Sequence, residues 1–224
     1  MTATGNAWQQ APTPQPEQDH YSRVAVAIQR AKATGLNQLI LSSPLVMKTG
    51  VRTVNDLIRD YSLLRFTVVD AVSTVDDQNV QTWYKLSVVD VLSRQAQVRQ
   101  RSLPLDTPRA LLPLGGSEVL FVVTGGTAVV DGITVTESPV DTGLVLHKDR
   151  QYVGGFLLEA SGQLAETAAL SASLYEISNN EDLTPLGSPE DPLVRDFRDY
   201  VGNRLSTLRN TIGRQVPDPI TSLR

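Results

Sequence analysis

Residues 115–155 read GGSEVLFVVTGGTAVVDGITVTESPVDTGLVLHKDRQYVGG, and this stretch decides the fold. Runs of Val, Ile, Leu, Phe and Thr alternate with Gly, Pro and Asp, which is the pattern of short strands divided by tight turns. Asp131-Gly132 stands between TAVV and ITVT and predicts a two-residue hairpin turn.

The same rhythm extends in both directions. Upstream, RFTVVDAV (65–72) and VQTWYKLSVVDVL (80–92) flank the turn formers Asp76-Asp77-Gln78-Asn79, so a second hairpin is predicted. QAQVRQRSL (95–103) adds a candidate strand. LPLDTPRALLPLGG (103–116), with three prolines and two glycines, reads as a connection. Downstream, YVGGFLLEA (152–160) and a stretch near ALSASLYEIS (169–178) close the sheet. QLAETAALSA (163–172) reads equally as strand or helix.

Helical patterns flank this centre. In residues 20–34, Tyr21, Val24, Ile28 and Ala31 share one face, with Asp19 as cap and Gly35 as stop. A second helix is predicted from Val54 to Leu64, where Leu57, Ile58, Tyr61 and Leu64 share a face and Thr53 with Asp56 forms a capping box. LNQLILSSPLVMKTG (36–50), between the two, fits strand or buried helix. Near the C-terminus Asp191-Pro192 opens the clearest helix. Val194, Phe197, Val201, Leu205, Leu208 and Ile212 form its apolar stripe, which must bury against its own chain or another subunit.

The predicted fold is mainly β with flanking helices, of α+β class. It has an antiparallel β-barrel or jelly-roll-like core at 65–178. Residues 1–18, rich in Thr, Ala, Gln and Pro with Glu17 as the single charge, form an extended arm or disordered tail in which Trp8 is the candidate anchor. A helical region at 19–64 packs on the core. A polar linker covers 179–190, and 191–224 hold the C-terminal amphipathic helix and a tail.

Part of the central stretch resembles the cupin superfamily of small β-barrels, many of which hold a divalent metal. Glu118, six residues and Gly125 match the end of that family's first motif, and Asp131-Gly132 and Pro139-Val140-Asp141 match its turns. The resemblance implies two histidines just before the glutamate, but Leu111–Leu114 read LLPL. On the second motif's spacing Leu146, Lys148 and Gln151 stand where proline, glycine and histidine are implied, and His147 comes four residues early. Glu118 alone remains of the ligand set, and one carboxylate does not hold a transition ion. The barrel so implied is metal-free.

Composition narrows the functions further. No cysteine is present, which excludes disulfides and thiolate chemistry. Only His20 and His147 occur, and neither has a positioned acid or nucleophile in its motif. Asp70, Asp76, Asp77 and Asp90 lack the spacing of a calcium loop, and the Gly115-Gly116 and Gly125-Gly126 pairs lack that of a phosphate loop. The catalytic, cofactor and metal sets are therefore empty.

A net charge of −4 gives no overall basic field for nucleic acid, and the arginines 204, 209, 214 and 224 are too sparse for strong phosphate binding. The longest apolar run, Val119–Val123, is too short to span a bilayer, and MTATGNAWQQAPTPQPEQ lacks the features of a signal peptide. The reading favoured is a non-enzymatic, self-assembling structural protein, such as a capsid or tail component of a viral or phage particle. Its partners would be copies of itself and other particle proteins, in a virion or cytoplasmic assembly. The alternative is a metal-free cupin-like module that binds a small ligand or regulates.

Overall fold

A computed structural model describes residues 23–42, 50–76, 78–94, 98–99, 103, 107–138, 144–159, 164–167 and 170–215. Helices are α1 (Arg23–Ala33), α2 (Val54–Asp60), α3 (Pro192–Tyr200) and α4 (Leu205–Gln215). Strands are β1 (Gln38–Leu41), β2 (Ser62–Val75), β3 (Val80–Ser93), β4 (Val98–Arg99), β5 (Glu118–Thr124), β6 (Gly126–Val130), β7 (Ile133–Glu137), β8 (Gln151–Glu159), β9 (Leu164–Thr167), β10 (Leu174–Ile177) and β11 (Leu183–Pro185). The chain is mainly β with flanking helices, as its sequence predicts.

The long hairpin β2–β3 is the spine, paired from Leu63↔Ser93 to Val75↔Val80. Asp76 closes it, its Oδ1 accepting the N–H of Gln78 at 2.7 Å and of Asn79 at 2.6 Å. Strand β5 joins the free side of β3, and β8 joins the free side of β2. Three successive antiparallel neighbours with the fourth returned beside the first make a Greek key. Strand β9 then pairs with both β8 and β5, which rolls the sheet upon itself.

The closed barrel among the predicted alternatives is corrected here. The β5–β9 seam consists of two residue pairs, Leu120↔Leu164 and Phe121↔Ala165, too short to close a continuous barrel. Strands β10 and β11 extend the sheet past β8, and the Asp131-Gly132 hairpin belongs to a separate three-stranded sheet of order β1-β7-β6. Asp131 and Gly132 have φ of 51° and 80°, the positive pair that a type I′ turn requires.

Helix α2 stops at Asp60 and not at Leu64, because Leu63, Leu64 and Phe66 are drawn into β2 and buried on its two faces. Residues 38–41, in the segment that fits strand or buried helix, form β1 parallel to β7. In the 163–174 stretch, 164–167 are strand and 170–173 a 3-10 turn. Of QAQVRQRSL only Val98–Arg99 is described as strand. Asp19, Tyr21, Trp8 and His20 lie outside the described residues.

The segment expected as a linker carries β11, which pairs with β10. The single C-terminal helix is two helices, interrupted at residues 202–204. There Asn203 O accepts the N–H of Leu183 at 2.8 Å and Leu205 N–H donates to Glu181 O at 3.0 Å, so the chain leaves the helix to bind the β10–β11 turn. Helix α4 restarts in phase, and all six stripe residues stay buried in one core with Val54, Leu57, Ile58, Val153 and Tyr175. The stripe is satisfied within its own chain.

Candidate functional site

Glu118, the residue that the cupin resemblance would make a metal ligand, supports structure. Its Oε2 accepts the Gly115 N–H at 2.6 Å and lies 2.9 Å from Lys85 Nζ. The backbone donor first, then Lys85, holds this carboxyl below its ordinary range. The loop that brings LLPL to β5 is thereby pinned to β3. Among the described residues no group of three or more His, Asp or Glu side chains is arranged to hold a metal ion.

The middle of the rolled sheet, where a barrel protein would keep a ligand, is filled by rings. Tyr152, Phe66, Phe156, Phe121 and Tyr84 form a continuous series with centroid separations of 5.7, 5.5, 5.6 and 6.0 Å. Two of them are anchored at one end of the roll. Tyr152 Oη accepts the N–H of His147 at 2.9 Å, and Tyr84 Oη accepts that of Leu146 at 3.4 Å. Leu144 and Leu146 are buried beneath these phenols as a plug. Burial pushes the acidity constants of both phenols up, so they remain neutral hydrogen-bonding groups. The His147 side chain itself is exposed.

Of the acidic residues singled out from sequence, Asp77 lies outside the described residues and the other three are dispersed. Asp76 caps its turn, Asp90 lies 3.0 Å from Arg209 Nη2, and Asp70 is 3.9 Å from Lys148 Nζ.

A surface that sequence reading missed lies on the small sheet. Its inner face packs Leu39, Leu41, Ala128, Ile133 and Val135 against Val24, Ile28 and Ala31 of α1. Its outer face holds two cross-strand rows, Ile40–Thr136–Thr127 and Gln38–Thr134–Val129. Thr127 and Thr136 share a hydroxyl hydrogen bond of 3.1 Å. None of the six residues is charged, and Ile40 and Val129 are 82% and 70% exposed. Period-two alternation in ITVTE carried the signal for this face, but its row partners come from 38–41, a segment whose strand character was open.

No protein-family model, curated protein or solved structure matches the chain. Among the described residues no helix is long and apolar enough to cross a membrane.

Proposed function

We propose that the protein is a non-enzymatic, self-associating structural component, of the kind that builds a viral or phage particle, and that its copies meet through the outer face of the three-stranded sheet. The observation that carries this reading is the uncharged face with Ile40 and Val129 projecting from it. Isolated exposed aliphatics are ordinary, and two of them on a sheet face without charge support a contact surface there.

The face is small. Six residues at strand spacing cover roughly 200 Å², against about 800 Å² per partner in a stable interface. The remaining area is assigned to the N-terminal arm. Arg23 is held at the end of β7 and β1, its Nη1 3.1 Å from Glu137 Oε1 and its Nη2 2.6 Å from Ser42 O. The start of α1, which follows the arm in the sequence, is thus tied to the small sheet. An uncharged Pro/Gln segment with Trp8 adds apolar area on a neighbouring copy without enlarging the core.

Light scattering on size-exclusion fractions tests the reading. The intact chain is expected to be oligomeric in a concentration-dependent manner. Ile40→Lys with Val129→Lys, or removal of residues 1–18, should shift it to monomer with an unchanged circular dichroism spectrum. A chain that stays monomeric at high concentration and forms no particle, tube or ring in negative stain overturns it.

A further inference from the structure

A second surface feature lies on the opposite side of β2, away from the small sheet. A cleft of about 390 Å³ is lined by Arg65, Asp149, Arg150, Gln151, Ser178 and Glu181, with Ile177 and Asn179. Arg65 projects from β2, Gln151 from the first position of β8, and Ser178 to Glu181 from the turn between β10 and β11. Three distant segments are thus brought together by the β10-β8-β2 order.

Arg65 is the unusual member. It is half-buried, and its side-chain partner is a neutral amide, Gln151 Oε1, at 2.8 Å from Nη2. Its Nε is shielded from solvent and has no acceptor. Among the described residues no carboxylate stands within ion-pairing distance of it. A half-buried guanidinium with no ion-pair partner is costly, and with its Nε shielded it has its Nη donors to offer a ligand carboxylate. The other lining arginine is already engaged, since Arg150 Nη1 lies 3.7 Å from Glu176 Oε1.

The remaining charges select among anions. Asp149 and Glu181 line the same cleft. Both hold left-handed backbone, with φ of 63° and 61°, which turns the chain at the rim. A phosphate dianion entering toward Arg65 would meet two carboxylates of its own sign. A ligand that carries an ammonium beside its carboxylate would instead satisfy both sets. The cleft volume lies at the lower end of the range for small-molecule sites.

We propose that this cleft binds a small zwitterion of the amino-acid class, with the ligand carboxylate on Arg65 and its ammonium toward Asp149 and Glu181. The site is independent of the sheet face and of self-association.

Titration calorimetry at fixed ionic strength with glycine, L-glutamine, acetate, methylammonium and inorganic phosphate tests it. An amino acid should bind, with acetate, methylammonium and phosphate each at least tenfold weaker. Arg65→Met and Glu181→Gln should each weaken amino-acid binding at least tenfold. Glu181 sits half-buried on the β10–β11 turn, outside the strands, so its variant keeps the test open if the strand substitution fails to fold. No heat with either amino acid, equal binding of acetate or phosphate, or binding that survives the folded variants would overturn the proposal.

Discussion

Glu137 Oε1 lies 3.1 Å from Arg23 Nη1, and the carboxylate is fully buried while the guanidinium side chain is 32% exposed. Glu137 Oε2 also accepts the Val80 N–H at 2.6 Å. One side chain on β7 thus ties the start of α1 and the tip of the β2–β3 hairpin to the small sheet. Arg23→Ala strips a buried carboxylate of its counter-charge. Breaking a wholly buried pair costs roughly 3–5 kcal/mol, and the partly exposed arginine lowers this to about 2 kcal/mol. Arg23→Leu combined with Glu137→Gln, which removes the buried charge and keeps an acceptor for the Val80 N–H, should cost less than Arg23→Ala alone. Urea denaturation midpoints check the order, and a larger loss in the double variant would contradict it.

Gly126 begins β6 with φ of 132°, a conformation closed to other residues, and an added Cβ would run into Thr82 Oγ1 and stand 2.9 Å from Ser73 Oγ. Those two hydroxyls share a 3.0 Å hydrogen bond, so neither moves away freely. Gly126→Ala therefore combines backbone strain with a clash and should lose about 2–4 kcal/mol, whereas Gly132→Ala, where a Cβ meets open space, should lose only about 1 kcal/mol. Thermal unfolding of the two variants side by side measures the difference.

The carboxyl of Glu118 is held below its ordinary value of 4.5 by the Gly115 N–H and then by Lys85. A group whose folded-state value is depressed contributes stability that is full above its unfolded value and is lost as pH falls through its folded value. Glu118→Gln should accordingly be less stable than the parent near neutrality. The gap should narrow below 4.5 and close once the folded-state carboxyl has taken up its proton. Melting temperatures across that range, at constant ionic strength, report the gap. A gap independent of pH would assign the effect of the variant to packing.

The contrast between Asp131-Gly132 and Gly202 shows what was legible in the sequence. The first is a two-residue signal whose turn follows from its own backbone preferences, and it forms as read. At residues 202–204 the apolar spacing continues undisturbed, yet Gly202 ends α3 with a left-handed φ of 76°, and the opened backbone is held by the Leu183 N–H and the Glu181 carbonyl, about twenty residues away in the chain. Leu64 fails for the same reason, since its helical spacing is overruled by pairing to Gly154 and Val91. The candidate surfaces were less legible still. Ile40 and Thr136 become neighbours through a parallel pairing, and Arg65 shares a cleft with Glu181 through the β10-β8-β2 order, so no local pattern announces either.

Tyr175 and Phe197 stack at 4.0 Å with their planes 22° apart, which fastens α3 to β10. Phe197 is 2% exposed and shares a core with the whole C-terminal stripe. If copies associated through that stripe, its loss would free monomers that remain folded. The stripe is instead internal, so Phe197→Ala should destabilise the chain itself by about 3–5 kcal/mol. Near-neighbour evidence comes from Val54, whose N–H, at the first turn of α2, donates to Asp196 Oδ2 at 2.7 Å. Loosening α3 therefore withdraws an acceptor from α2 as well, and both helices should lose hydrogen-exchange protection together. Charge changes at Arg198 and Asp199, on the exposed side of α3, should leave both stability and self-association unaltered. A folded Phe197→Ala chain that is merely monomeric would move the proposed subunit contact from the small sheet to the C-terminal helices.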